Sequence, residues 1–352
     1  SWEIDLWGRI HRQSEAAEAN LLATEQARNG VILTLVSSVA NSYLQLRGLD
    51  QQLEISKKTL DVYGQSLKFF ELQFKYGQTS EMTVAQARSQ YETAAAQIPQ
   101  IQQQIVQLEN ALSLLAGRNP GPIPRGKSLV ELTAPAVPGG LPSQLLERRP
   151  DIMQAEQQLI AANAQIGAAK ALYFPSISLT GAFGGSSSEL SNVFNGSAKT
   201  WNFTGSVTGP IFTAGLISGQ VAQAEANQQA ALANYQQTIQ AAFGDVSNVL
   251  SARDQLLQQV ASQQNQVEAL RNYARLARLQ YDGGYAPYST VLQAEQQLFP
   301  AELTLARTRA DSTASVANIY KAMGGGWVEQ ASQLTVPATP SPETEQSMPA
   351  AP

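Results

Sequence analysis

The sequence has no cysteine and only one histidine, His11. Disulfides, thiolate nucleophiles, zinc–thiolate centres and cysteine-held iron–sulfur clusters are thereby excluded, and a histidine-based triad has one candidate at most. Charge is also scarce. Asp, Glu, Lys and Arg make up 14% of the 352 residues and the net charge is −5. With no long basic run, nucleic acid is not an expected partner. Apolar runs never reach the length of about 18 residues that a membrane-crossing helix needs. There is no glycine-rich phosphate loop or Walker sequence, so energy for any work must come from a partner. The opening residues, Ser1 to Trp7, lack the basic and apolar regions of a signal peptide. His11 has only Glu15 and Glu18 nearby and no second histidine, so neither a metal site nor a cofactor is expected. The chain does not read as an enzyme.

Alanine and glutamine replace the missing charge. Gln220 to Gln240 alone contains seven Gln and six Ala, a composition that favours long helices. The chain also repeats itself. Phe74 to Gln90 (FKYGQTSEMTVAQARSQ) recurs as Tyr281 to Gln297 (YDGGYAPYSTVLQAEQQ) at an offset of 207 residues. The same offset pairs Gly8 with Gly215, Gly77 with Gly284 and Gly117 with Gly324, which indicates a duplicated unit. Between the copies lies a Pro/Gly-rich stretch, Asn119 to Pro142, followed by a helix-like segment beginning near Arg149-Pro150-Asp151. The first-copy counterpart of that segment would precede Ser1, so the repeat predicts a helix, strand and loop upstream.

Each copy carries a helical stripe. Ile32, Val39, Leu46, Leu53, Leu60, Leu67 and Phe74 lie seven residues apart. After Gly77, apolar residues from Val84 to Leu115 alternate spacings of three and four. This is coiled-coil patterning, with left-handed winding around partner helices. The second copy repeats it more weakly, from Ile239 to Tyr281 and from Val291 to Leu305, and Ala274 stands where the first copy has Leu67. The weaker stripe predicts a more mobile second hairpin. A helix from Arg9 to Tyr76 would be roughly 100 Å long.

Two segments read as strands. In Pro175 to Gly184, Ile177, Leu179 and Phe183 alternate with Ser176, Ser178, Thr180 and Ala182. In Trp201 to Phe212, the apolar Trp201, Phe203, Val207 and Ile211 alternate with Asn202, Thr204, Ser206 and Thr208. Runs of about ten residues with one apolar and one polar face match tilted membrane strands lining a wet lumen. Trp2, Ile4 and Leu6 read as the end of a third. Trp2, Tyr173, Phe174, Trp201 and Phe212 stand near strand ends, where interfacial aromatics collect. A Gly/Ser/Asn-rich loop, Gly184 to Lys199, joins the pair. A soluble hairpin packed on the helices is the other reading of these strands. So few membrane strands cannot close a barrel alone, because open edges are not tolerated in lipid, so a membrane reading requires oligomerisation.

Trp2-Glu3-Ile4-Asp5-Leu6-Trp7-Gly8-Arg9, the stretch LPSQLLERRPDIMQAEQQLIAANAQIGAAKALYFPSISLTG from Leu141 to Gly181, and IYKAMGGGW from Ile319 to Trp327 resemble the outer-membrane factor (TolC-like) family. The chain is most similar to its multidrug-efflux lipoprotein branch, and the resemblance reaches to about Trp327. It implies an α+β membrane protein: a homotrimer giving four strands per chain to a 12-stranded β-barrel, with long coiled helices forming a periplasmic tunnel. The implied partners are a periplasmic adaptor protein, an inner-membrane efflux transporter and outer-membrane lipid. The implied location is the Gram-negative outer membrane, extending into the periplasm. A type I protein-secretion duct and a non-membrane coiled-coil scaffold are the alternatives.

On this basis residues 1–8 end a membrane strand and 9–118 form the first helical hairpin. Residues 119–148 link the repeats, 149–172 form a helix, and 173–213 form two membrane strands. The second hairpin is 214–325, and 326–352 is a C-terminal segment whose Pro-rich tail from Pro337 reads as disordered. The resemblance makes the hairpin turns at Tyr76, Gly77, Gln78 and Thr79, and at Tyr281, Asp282, Gly284 and Tyr285, the closed periplasmic end where an adaptor docks. Branch members often carry an aspartate two residues after the second tip glycine and another in a DAQ triplet, where this chain has Ala286 and Gln293. Asp282, one turn away, is the substitute for that acidic ring; as ordinary turn chemistry it is simply a solvated residue before Gly283. Tyr281 either narrows the pore or continues the heptad stripe into the core. Arg148, Arg149 and Asp151 read as the start of a helix, since Pro150 and Asp151 are favoured in a first turn.

Overall fold

The computed structural model describes residues 1–129, 131, 147–194 and 196–325. The tail from Pro337 and much of the inter-repeat linker lie outside the described residues. In chain order the elements are β1 (Trp2–Ile4), α1 (Arg9–Lys75), α2 (Glu81–Leu115), α3 (Pro150–Ala171), β2 (Ser176–Gly185), β3 (Lys199–Thr208), α4 (Leu216–Asp282) and α5 (Tyr288–Ala322). Both boundaries of α4 and of α5 stand 207 residues after those of α1 and α2. The duplication read from the glycines thus extends to both ends of the four hairpin helices. Gly8, Gly77, Gly117 and their partners Gly215, Gly284 and Gly324 all take positive φ.

Contacts divide the chain into two compact units, Ser1–Gly30 with Pro142–Phe243, and Val31–Leu141 with Gly244–Pro352. In the first, α3 packs on the start of α1 through Ala16, Ala19, Ala161 and Ala164, whose small side chains let the backbones approach closely. Arg149, buried, grips Asp151 through two hydrogen bonds of 2.7 and 3.0 Å and donates to the Ala242 carbonyl of α4. Desolvation works to raise the Asp151 carboxyl, but Arg149 together with the backbone amides of Ile152 and Asp151 outweighs it, and the net displacement is downward. This pair therefore starts α3 and also anchors it to α4. At the other helix start, Asp5 accepts from the amides of Ile10 and His11 at 3.0 and 2.7 Å, capping α1. Turning to make that cap ends β1 at Ile4, so Leu6, read as part of the strand, lies outside it. His11 supplies only its backbone amide to that cap.

The sheet is antiparallel in the order β1-β2-β3. Its third strand is shorter than the pattern predicts: it stops at Thr208, and Ile211 and Phe212 project into solvent beyond it. Gly209-Pro210 is the physical reason, because proline has no N–H to continue a ladder.

In the second unit, α1 and α2 pack with α4 and α5. The stripe from Ile32 to Phe74 is only half the seam. Three residues further on, Ser56, Tyr63 and Phe70 form a parallel line that is more deeply buried than Leu53, Leu60 and Leu67. Serine and tyrosine hid this second line from an apolar count. Ser56 tolerates burial by donating to the Gln52 carbonyl at 2.8 Å. At Gly48 the helices come so close that a Cβ would stand 2.6 Å from Ala310 Cβ. After α2 the chain is strapped back onto the hairpin. Arg125 bridges Asp50 and Glu109, Gly126 N–H donates to Tyr43 Oη at 2.8 Å, and Arg47 donates to the Lys127 carbonyl.

Candidate functional site

Two places combine exposure with organised chemistry, one in each unit, and the first is the sheet. Cross-strand pairs set Ile177 opposite Val207, Leu179 opposite Gly205, Gly181 opposite Phe203 and Phe183 opposite Trp201. Trp2 and Ile4 of β1 oppose Leu179 and Ile177. Since side chains alternate faces along a strand, all these apolar residues share one face. Ser178 opposite Ser206 and Thr180 opposite Thr204 share the other, and the two serine hydroxyls lie 2.8 Å apart. Much of the apolar face is exposed, with Phe183 at 79%, Trp201 at 78% and Val207 at 68%, while Ile4, Ile177 and Leu179 are half-buried. The fold uses neither face as a core, so the reading of a soluble hairpin packed on helices does not describe this sheet.

The aromatics fall at different levels. Tyr173, Phe174 and Phe212 stand at the end where β2 begins and β3 finishes, and Trp201 stands near the loop end. Trp2, the first residue of β1, opposes Leu179 of β2. Trp7, which sequence reasoning did not single out, joins the first group. Its ring stacks on Phe174 at 4.6 Å and its Nε1 donates to the Pro175 carbonyl at 2.7 Å. Its position just before the Gly8 turn, matching the stretch after β3, was the available signal.

The second place is the pair of hairpin tips. Gly77 N–H bonds the Phe74 carbonyl and Gln78 N–H bonds Gln73; Gly284 N–H bonds Tyr281 and Tyr285 N–H bonds Gln280. Both are six-to-one helix stops around a left-handed glycine, with φ of 72° and 76°. Ser80 then caps α2 by accepting from Thr83 N–H. Pro287 occupies the matching position before α5. Tyr76 and Tyr285 are exposed, at 69% and 89%, and Gln78 and Thr79 occupy the intervening turn. Asp282 is exposed and pairs with Arg278 of its own helix at 3.4 Å. Tyr281 instead turns inward. It lies 6.2 Å from Phe70 and 5.3 Å from Tyr288, in a cluster that joins the two hairpins through Val84, Ala87, Ala277 and Val291. Within this chain Tyr281 packs against both hairpins.

A family model described as outer membrane efflux protein matches residues 1–118 and 141–325. The chain belongs to the outer membrane efflux protein family. It is 41% identical to the probable outer membrane lipoprotein SilC of Salmonella typhimurium, over 94% of this chain and 72% of that protein. With the cation efflux system protein CusC of Escherichia coli K12 it shares 40% identity, covering 93% and 72%. The open-state MtrE outer membrane channel of Neisseria gonorrhoeae superposes with a TM-score of 0.84 at 33% identity, covering 93% and 74%. The protein is thus one of the Gram-negative outer membrane that extends into the periplasm, in a family of efflux channels rather than enzymes.

Proposed function

We propose that the protein is the outer-membrane exit duct of a tripartite efflux pump, passively conducting drugs and other small molecules delivered through a periplasmic adaptor from an inner-membrane transporter. The sheet is the observation that carries this reading. Ten-residue strands with an unburied apolar face and a small-residue polar face suit lipid on one side and water on the other. At roughly 3.3 Å per residue and a tilt near 45°, such strands cover about 23 Å of membrane. β1 and β3 each leave an edge without a partner among the described strands, and an open edge is not stable in lipid. Three protomers sharing one closed barrel remove those edges.

The helical hairpins are assigned to the periplasmic tunnel. Val62, Phe69 and Tyr76, seven residues apart, stay exposed along α1 and its turn, a stripe suited to a helix of a neighbouring protomer. The tips, Tyr76 to Thr79 and Tyr281 to Tyr285, are the gate and the adaptor contact. Tyr173, Phe174 and Phe212, with Trp7, form one interfacial belt, and Trp201 belongs to the other. Planar-bilayer recording of the detergent-purified protein tests the reading: discrete, ohmic conductance steps are expected. Their absence from protein that is folded and inserted would refute it.

A further inference from the structure

Where α1, α4 and α5 meet, a carboxyl group is held without a full set of partners. Glu295 Oε2 is buried and accepts no hydrogen bond from the described residues. The residue's backbone carbonyl accepts from Tyr63 Oη at 3.3 Å. Beside it opens a cavity of about 260 Å³ lined by Lys58, Tyr63, Ala274, Phe299 and Glu302, which gives protons and water a route to the site. Facing Glu295 are Tyr63 and the more distant Lys58 from α1, Arg278 from α4, and Tyr288 and Glu302 from α5. From α2 comes Tyr91, beside the Tyr63–Phe299 cluster. Glu302 is already engaged by Arg271 at 2.6 Å. Burial pushes the Glu295 carboxyl up to about 7, with Arg278 pulling back against it. Burial likewise raises the Tyr63 hydroxyl, and raises that of Tyr288 to about 12, so both phenols stay protonated.

We propose that Glu295 is a protonation switch for the second hairpin, seating α5 against α1 when neutral and loosening that packing when ionised. A buried carboxylate oxygen with no donor is costly, so the ionised form must draw in water or a cation. Arg278 is the cation placed to respond. It also holds Asp282 at the tip, so movement toward Glu295 releases Asp282. The folded form binds its proton more tightly than the ordinary carboxylate value near 4.5. Stability from this site is therefore fully present below that value and is lost as pH rises through about 7. Acid tightens the hairpin and mild alkali loosens it.

The test uses the complete protein in liposomes and does not depend on conduction. Infrared titration should show a glutamic-acid carbonyl band with a midpoint near 7 in the native protein and no such band in Glu295→Gln. The cysteine-free chain allows spin labels at Lys57→Cys on α1 and Gln297→Cys on α5, both exposed. Their distance distribution should broaden between about pH 5.5 and about pH 8, the loose population growing about tenfold, and should stay narrow in Glu295→Gln. Absence of a near-neutral carboxyl titration in the native protein overturns the proposal, whatever the variant does. Equal broadening in Glu295→Gln also overturns it. Should that variant fail to fold, the native titration with isotope-labelled glutamate decides alone. A protein that conducts nothing but shows both signals refutes the duct and leaves the switch standing.

Discussion

Tyr281 and Asp282 are neighbours in sequence with opposite surroundings. Tyr281 touches Phe70 and Tyr288 and so ties one hairpin to the other, whereas Asp282 pairs with Arg278 on its own helix. Tyr281→Ala should therefore cost roughly 1–3 kcal/mol in thermal unfolding and raise single-channel conductance. Asp282→Ala should leave stability nearly unchanged but reduce cation selectivity, because a ring of three carboxylates is lost from the proposed gate. Unchanged selectivity would make Asp282 a plain turn residue. Phe74 and Lys75, the equivalent pair in the first copy, are exposed and outside the cluster, and their replacement should matter less. Arg125 allows a different test. Desolvation pushes the Glu109 carboxyl upward, but the Arg125 bond and the Ile123 amide win, and its net displacement is downward. Stability from this contact is present above the ordinary carboxylate value and is lost as pH falls through the lower folded one. Arg125→Ala should cost about 1–2 kcal/mol near neutral pH and progressively less in acid, measured by denaturant melts across pH.

At the scale of elements, glycine has two distinct jobs. Gly77 and Gly284 end helices in the left-handed region, where a Cβ is strained, and each substitution to alanine should cost about 1 kcal/mol. Gly48 sits mid-helix, where alanine would ordinarily stabilise by a similar amount. Here the new Cβ meets Ala310 at 2.6 Å, so Gly48→Ala should instead destabilise, by about 1–3 kcal/mol. Combining it with Ala310→Gly should recover most of the packing loss. A Gly48→Ala protein that melts higher than the native one would mean that α1 and α5 do not meet there. The two hairpins also differ in their return helices. α5 supplies Tyr288, Val291, Leu292 and Ala294 to the tip cluster, while α2 supplies Val84 and Ala87. The thin heptad line of α4 is thus offset by a densely packed α5.

At the scale of the whole molecule, the strand edges make association the central expectation. Purified in mild detergent, the protein should elute and weigh as a trimer. A monodisperse monomer in the absence of detergent would contradict the barrel assignment. Replacing apolar-face residues should act through lipid: Phe203→Lys should abolish insertion, whereas Thr204→Lys on the polar face should insert normally and alter ion selectivity.

Heptad spacing and paired glycines were enough to determine long helices in two copies, because a 207-residue offset and a seven-residue period are properties of the chain itself. The alternation in β2 and β3 was legible for the same reason, each strand carrying its own period of two. Which residues meet across strands, however, depends on register, and only the tertiary structure put Phe183 beside Trp201 and Trp2 beside Leu179. The buried line of Ser56, Tyr63 and Phe70 escaped the sequence because burial of a polar side chain depends on what lies opposite it. Tyr281 had two readings by periodicity, and only the tertiary structure put its ring beside Phe70 and Tyr288. Glu295 looked like any helical glutamate; its missing partner and raised proton affinity exist only because α1, α4 and α5 enclose it.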